Sequence, residues 1–180
     1  MEESSFLNPT KTLEACGLVP GIRVVDLGAG SGFFTRAAGR LIGPKGSVFA
    51  VDINSDLLTR IKNLSITEGL QNIEIFQGNI EAEGGTGLPA KHFDFCIATN
   101  VLFSLESKHV FLQEISRVLK PGGKALLVDW RGSFGGLGPH EGHVVTVGAA
   151  RDLVEKEGLL YVQDVSAGEY HWGMLIRKKV

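Results

Sequence analysis

Val24-Val25-Asp26-Leu27-Gly28-Ala29-Gly30-Ser31-Gly32-Phe33-Phe34 runs an apolar segment into an acid, then three alternate glycines, then an apolar helix-forming stretch. Val24 to Leu27 reads as a short strand buried on both faces of a parallel sheet. Gly28, Gly30 and Gly32 remove three β-carbons, so the chain can turn tightly and a ligand can approach the main chain. Phe33 to Leu41 reads as the following helix, whose unpaired amides and positive dipole end face the turn. An anionic group of a ligand suits that position.

The spacing separates two kinds of nucleotide site. A dinucleotide fingerprint, Gly-x-Gly-x-x-Gly, would need its third glycine at position 33, where Phe33 stands. The next strand, Ser47-Val48-Phe49-Ala50-Val51-Asp52, ends in an acid about twenty residues beyond the glycines, where a ribose-binding carboxylate belongs. Such a carboxylate accepts from both ribose hydroxyls, at about 1.5 to 3 kcal/mol per charge-assisted bond. A glycine turn alone needs no ligand, and an acid at a strand end can be merely solvated. Together, at this spacing, they indicate a nucleoside.

Helix and strand alternate along the rest of the chain. Asn8-Pro9 supplies an N-cap and first-turn proline for a helix ending near Gly17. Ser55 can cap a helix with Leu57, Leu58, Ile61 and Leu64 at helical spacing and Gly69 as its stop. Ile73 to Phe76 is a third strand; a polar, glycine-rich link from Glu81 to His92 leads to a fourth, Phe93 to Ala98. Lys108 to Leu119 reads as a helix ended by Lys120-Pro121-Gly122-Gly123, before a strand from Ala125 to Val128. A helix around Val147 to Glu157 and strands near Leu160 to Val165 and His171 to Arg177 follow. The short Ala167-Gly168 link between those strands favours an antiparallel hairpin at a sheet edge.

Asp-x-Gly-x-Gly-x-Gly at Asp26 to Gly32 resembles motif I of the class I S-adenosylmethionine-dependent methyltransferases. Gln77-Gly78-Asn79-Ile80 resembles their motif after the third strand. Phe93 to Ala98 with Asn100-Val101-Leu102-Phe103-Ser104-Leu105 resembles motif IV, and Glu114 to Lys124 the turn after it. The resemblance implies an α/β fold over residues 1–180: one Rossmann-like doubly wound domain of seven strands, mostly parallel with an antiparallel C-terminal hairpin strand, helices on both faces. It implies S-adenosyl-L-methionine as cofactor and S-adenosyl-L-homocysteine as product. Carried over by motif, the cofactor residues are Asp26, Gly28, Ala29, Gly30, Gly32, Phe33, Asp52, Ile53, Asn79, Ile80, Asn100 and Val101. Asp26 is expected to orient the methionine end, directly or through water, and Ile53 and Ile80 to sandwich adenine. Many relatives have aspartate where Asn79 stands; its amide oxygen can accept the adenine amino group without charge.

Methyl transfer from a sulfonium is an in-line displacement, and a base is needed only when the nucleophile must lose a proton. Ligands bind beyond the carboxyl ends of the strands, which puts Phe103, Asp129 and Trp130 near an acceptor. The loop Arg131 to His143 is expected as a lid presenting His140 or His143 as general base, against the plainer reading of a mobile surface loop. His109, at a helix start, is expected in solvent.

Composition limits the alternatives. A chain of 180 residues buries about 70% of its unfolded surface without staples. A net charge of -2 provides no general attraction to nucleic acid or anionic membrane. Met1 to Ser5 is polar and acidic where a leader would be basic and apolar, and no apolar run reaches membrane-spanning length. Cys16 and Cys96 read as reduced core thiols, which suits the cytoplasm. Asn100 is not followed by the Pro-Pro-aromatic run of amino-methylating enzymes, and two cysteines are too few for arsenite methylation. Only Asp129 lies at a strand end suited to a metal, so none is expected. The expected activity is methylation of a small molecule. A partner-dependent protein or RNA methyltransferase and a non-catalytic cofactor-binding module are the alternatives, and a homodimer is left open.

Overall fold

A computed structural model describes residues 6–180; the polar start Met1 to Ser5, read as lacking a leader, lies outside them. The elements are α1 (Pro9–Ala15), β1 (Arg23–Leu27), α2 (Phe33–Ile42), β2 (Ser47–Asp52), α3 (Ser55–Thr67), β3 (Ile73–Gln77), β4 (Phe93–Thr99), α4 (Lys108–Val118), β5 (Leu119–Trp130), α5 (Val147–Lys156), β6 (Leu160–Asp164) and β7 (His171–Arg177). Short 3₁₀ turns occupy Leu102–Ser104 and Glu141–His143. The strands form one seven-stranded sheet in the order β3-β2-β1-β4-β5-β7-β6. All neighbours run parallel except β7, which is antiparallel to both β5 and β6. This is the doubly wound sheet that the resemblance implies, with the C-terminal hairpin that the short Ala167-Gly168 link favours.

Chain order reverses between β1 and β4, so the connections leaving these adjacent strands depart to opposite faces and a crevice opens at their carboxyl ends. Successive residues of one strand serve different layers. Val24, Ile97 and Leu126 pack with Leu13, Phe34 and Ile61 on the face covered by α1, α2 and α3. Val25, Cys96 and Leu127 pack with Phe111, Ile115 and Val154 under α4 and α5. Burial on both faces is why β1 and β4 read as unbroken apolar runs.

Two local expectations are corrected. The cap of α3 is Asn54, not Ser55: Asn54 Oδ1 accepts from the N–H groups of Asp56 at 2.9 Å and Leu57 at 3.3 Å. Lys120-Pro121-Gly122-Gly123 does not separate helix from strand. The strand already begins at Leu119, which pairs with Phe93, and the register slips before Phe95 pairs with Lys124. Proline lacks an N–H for the ladder and is accommodated in this bulge.

The Glu81 to His92 link is fastened from within. Glu114, buried on α4, takes a two-point contact from Arg117 at 2.7 Å to each oxygen and the Thr86 hydroxyl at 2.5 Å. Burial pushes its carboxyl up, but these bonds outweigh burial and hold it below the usual range. Both cysteines are free and buried, and burial pushes the Cys16 thiol up to about 12. Among the described residues no helix is long and apolar enough to cross a membrane.

Asn54→Ala removes the acceptor of the Asp56 and Leu57 N–H groups at the start of α3 and is expected to lower unfolding free energy by about 1 kcal/mol in urea titration. Ser55→Ala, outside the cap, is expected to change it by less than about 0.5 kcal/mol.

Candidate active site

The three glycines of the β1–α2 turn all have positive φ, at 77°, 53° and 72° for Gly28, Gly30 and Gly32. Their surroundings differ. A β-carbon on Gly28 would lie 2.4 Å from Val101 Cγ1, and one on Gly32 would lie 2.5 Å from Ile61 Cγ1. At Gly30 the nearest heavy atom would be the Gly28 carbonyl oxygen, 4.0 Å away. Packing therefore explains two of the glycines, while Gly30 faces open space.

The turn is braced on all sides. Gly28 and Ala29 donate their N–H groups to the Val51 carbonyl at 2.9 Å each. Arg36, nearly buried on α2, donates to the carbonyls of Ser31 at 3.0 Å and Gly32 at 3.1 Å, and to Glu68 at 3.0 Å. Asp52 accepts from Gly30 N–H through Oδ2 and from Asn54 N–H through Oδ1, both at 2.9 Å. Nothing in the helical pattern marked Arg36 for this role.

Cavities flank the turn. One, of about 320 Å³, is bordered by Asp52, Ile53, Asn79, Ile80 and Val101 together with Gly78, Glu81, Ser104 and Leu105. The other, of about 410 Å³, is bordered by Leu7, Pro9, Phe33, Phe34 and Thr99. Gly28, Gly30 and Asn100 border both, so the cavities meet over the glycine turn. The first brings together residues from four strand ends that the motifs singled out. Leu7 lies in no motif, and the sequence marks Pro9 only as a helix-start proline.

Ile53 stands out from the cleft wall, 67% exposed, so it is not a core residue. Asn79 Oδ1 already accepts from Glu81 N–H at 2.9 Å, leaving one lone pair of that oxygen and the Nδ2 hydrogens for a ligand. Asp26 lies beneath the turn, fully enclosed, with Oδ2 accepting from the Thr35 hydroxyl at 2.6 Å and Oδ1 without a partner. Burial pushes its carboxyl up to about 7; the Thr35 bond opposes the rise and the nearby Asp52 charge adds to it. Asn100 adopts φ 56°, donates its N–H to Val128 at 2.8 Å, and buries an Oδ1 with no partner.

Beyond β4 and β5 the structure departs from expectation. Asp129 is fully buried, not exposed to an acceptor: it accepts from Trp130 N–H at 2.7 Å and Phe103 N–H at 3.1 Å, fastening the 3₁₀ turn. Burial pushes it up to about 6, against these main-chain bonds. Trp130 stacks obliquely on His171, ring centres 4.2 Å apart, and a β-carbon on Gly138 would come within 2.9 Å of its indole.

The loop after β5 is not a free lid. Phe134 and Leu137 exchange main-chain bonds of 2.9 Å around Gly135-Gly136, and Phe134 meets Tyr170 edge-on at 5.0 Å. His140 and His143 are exposed and border neither cavity, while Pro139 and Val145 are the buried residues at that end of the loop. Neither imidazole faces the glycine turn from these positions. His109 is exposed, as expected.

Residues 25–127 match the profile of the methyltransferase domain family. The chain belongs to this family. It is 35% identical over 123 residues to the ubiquinone/menaquinone biosynthesis C-methyltransferase UbiE of Shewanella sp. (strain W3-18-1), covering 66% of this chain and 47% of that one. The chain thus spans about half the length of the curated relatives it matches. A crystal structure of a SAM-dependent methyltransferase from Aquifex aeolicus superposes with TM-score 0.87 at 26% identity, covering 96% of this chain and 90% of that one. The [4+2]-cyclase SpnF, at 16% identity, TM-score 0.79, and coverage of 96% and 80%, shares the fold alone.

The family implies S-adenosylmethionine as cofactor, and the residues present fit it. Gly30 offers a cradle that a β-carbon would fill, while Asn100, which borders both cavities, and Asp26, beneath the turn, each bury a side-chain oxygen that lacks a donor, a chemistry suited to an ammonium-bearing amino-acid end.

Gly30→Ala meets no protein atom and is expected to cost about 1 kcal/mol of stability, from its left-handed backbone alone. Its affinity for S-adenosylhomocysteine is expected to fall at least tenfold (~1.4 kcal/mol) by calorimetry. Gly32→Ala, driven into Ile61, is expected to destabilise more. Because Asp26 titrates higher when folded than its ordinary 3.8, the folded state keeps a proton that the unfolded chain releases, and stability is lost as pH rises from about 4 to about 7. Asp26→Asn removes that loss, so its melting temperature is expected to pull ahead of wild type between pH 5 and pH 8.

Proposed function

We propose that this protein transfers a methyl group from S-adenosylmethionine to a small-molecule acceptor, chiefly by positioning the reactants. The observation that carries this reading is the pair of cavities meeting over Gly30 and Asn100, one reaching Asp52 and the other Thr99. Asp52, whose oxygens hold Gly30 and Asn54 from below, keeps lone pairs for two ribose hydroxyls. Ile53 and Ile80 flank adenine, with Asn79 at its edge. Asp26, Asn100, Val101 and the main chain from Gly28 through Ala29 and Gly32 to Phe33 hold the amino-acid end. Bound there, S-adenosylmethionine supplies an electrophilic methyl group on a positively charged sulfur. Holding a nucleophile in line with it supplies about 7 to 11 kcal/mol of barrier reduction. Phe103 and Trp130 shape the acceptor end, and Asp129 acts there by fixing Phe103.

A small acceptor is favoured by the modest size of the two cavities, about 320 and 410 Å³, and by a net charge of -2, which offers no pull on nucleic acid. The curated relatives are by name C-methyltransferases of ubiquinone/menaquinone biosynthesis, so a carbon acceptor on a small molecule is the first class to test. We take the whole chain as one catalytic domain and place it in the cytoplasm, in keeping with two unpaired, buried thiols.

Incubation with methyl-labelled S-adenosylmethionine and cell extract is expected to label a small-molecule fraction. Label confined to RNA or protein overturns the substrate assignment, and cofactor binding without transfer to any fraction overturns the catalytic one. Asp52→Ala is expected to weaken S-adenosylhomocysteine binding at least tenfold (~1.4 kcal/mol), having lost the charged ribose acceptor. An unchanged affinity in a folded variant removes Asp52 from the site.

A further inference from the structure

His171, at the start of β7, is 6% exposed, and neither Nδ1 nor Nε2 has a hydrogen-bond partner. An enclosed imidazole with two unused nitrogens costs about 1 to 3 kcal/mol for each unpaired polar atom, so its presence calls for a reason.

Its place in the sheet suggests one. Thr99, which borders the larger cavity, pairs with Val128, and Trp130, two residues on, pairs with His171. Thr99, Trp130 and His171 therefore share one sheet face, the one covered by α1 and α2. His171 stands two strands across and two residues further along from Thr99 at the end of β4, about 12 Å away. The segment entering α1 links the two places: Leu7 and the first residue of the helix, Pro9, border the cavity, while Phe6 packs on Tyr170 at 5.8 Å. The cleft wall and His171 thus lie under the same stretch of chain, with the Trp130 indole between them.

We propose that His171 is the proton acceptor for methyl transfer to an acceptor whose nucleophilic atom carries a hydrogen. This rests on the methyltransferase reading above. As the acceptor atom forms its bond to the methyl carbon, the sulfur–methyl bond breaks with its electrons remaining on sulfur. The acceptor's proton passes to a free imidazole nitrogen and from there to water. For this the imidazole must start neutral. Burial, and secondarily the Arg131 charge, lower its pKa from the usual value; Arg131 Nε donates to the His171 carbonyl at 2.5 Å, holding that charge in place. With Trp130 lying against the ring, 4.2 Å between centres, an acceptor reaches the imidazole only when that indole gives way.

The test compares wild type with His171→Gln and His171→Asn. Both variants are expected to bind S-adenosylhomocysteine within threefold of wild type by calorimetry. Transfer of label to the small-molecule extract fraction is expected to fall at least 100-fold in kcat, with KM little changed. In wild type, kcat is expected to rise with pH through a limb that both variants lack. Its apparent pKa should match that of the His171 imidazole followed by NMR in the S-adenosylhomocysteine complex. A folded variant retaining both the rate and the limb overturns the proposal. Should neither variant fold, a mismatch of more than about one unit between the NMR and kinetic values in wild type overturns it equally. Failure of wild type to bind S-adenosylhomocysteine would instead strike at the methyltransferase reading itself.

Discussion

The backbone between β1 and α2 passes between Val101 on one side and Ile61 on the other with no room for a β-carbon at Gly28 or Gly32. The rest of the site depends on that passage. Contact with Ile61 seats the start of α2 against α3, and contact with Val101 brings the continuation of β4 over the end of β1. Between these fixed points Gly30 has no side-chain neighbour, and its N–H is held by Asp52. A ligand cradle results from packing on both sides of it, so rigidity and access come from the same few residues.

Carboxylates divide the labour by burial. Asp52, at a partly open strand end, keeps its oxygens near the cleft. Asp26 and Asp129 are enclosed, and burial pushes them up to about 7 and about 6. Asp26 has only one oxygen paired within the chain, whereas main-chain N–H groups occupy both oxygens of Asp129. The second arrangement is a brace between the end of β5 and the 3₁₀ turn. Folding tolerates such groups at a cost in stability, which is where function commonly shows itself.

Much of the fold is legible before any coordinates. Buried parallel strands are apolar on both faces, so β1, β2 and β4 stand out as runs, with ends shifted by a residue at most. The helices follow from apolar spacing. The errors are informative. Asn54 and Ser55 are both good caps, and only the turn geometry after Asp52 chooses between them. Lys120-Pro121-Gly122-Gly123 has the composition of a loop, yet pairing of Leu119 with Phe93 draws it into a bulged strand. His140 and His143 attracted attention because they are polar residues in a glycine-rich loop. His171 did not, because it sits at the head of an apolar strand.

By itself the sequence determined the order of elements, the glycine turn and the acid that follows it, because these rest on local periodicity and on backbone conformations that few residues adopt. Which glycine is open, which aspartate faces the cleft and which histidine is enclosed were decided only by the tertiary structure. Those distinctions depend on Ile61, Val101, Trp130 and Arg36, residues distant in the chain whose contacts no local pattern encodes. Burial, the quantity that sets a carboxyl's charge or an imidazole's readiness, belongs to the packed sheet and to no single segment of it.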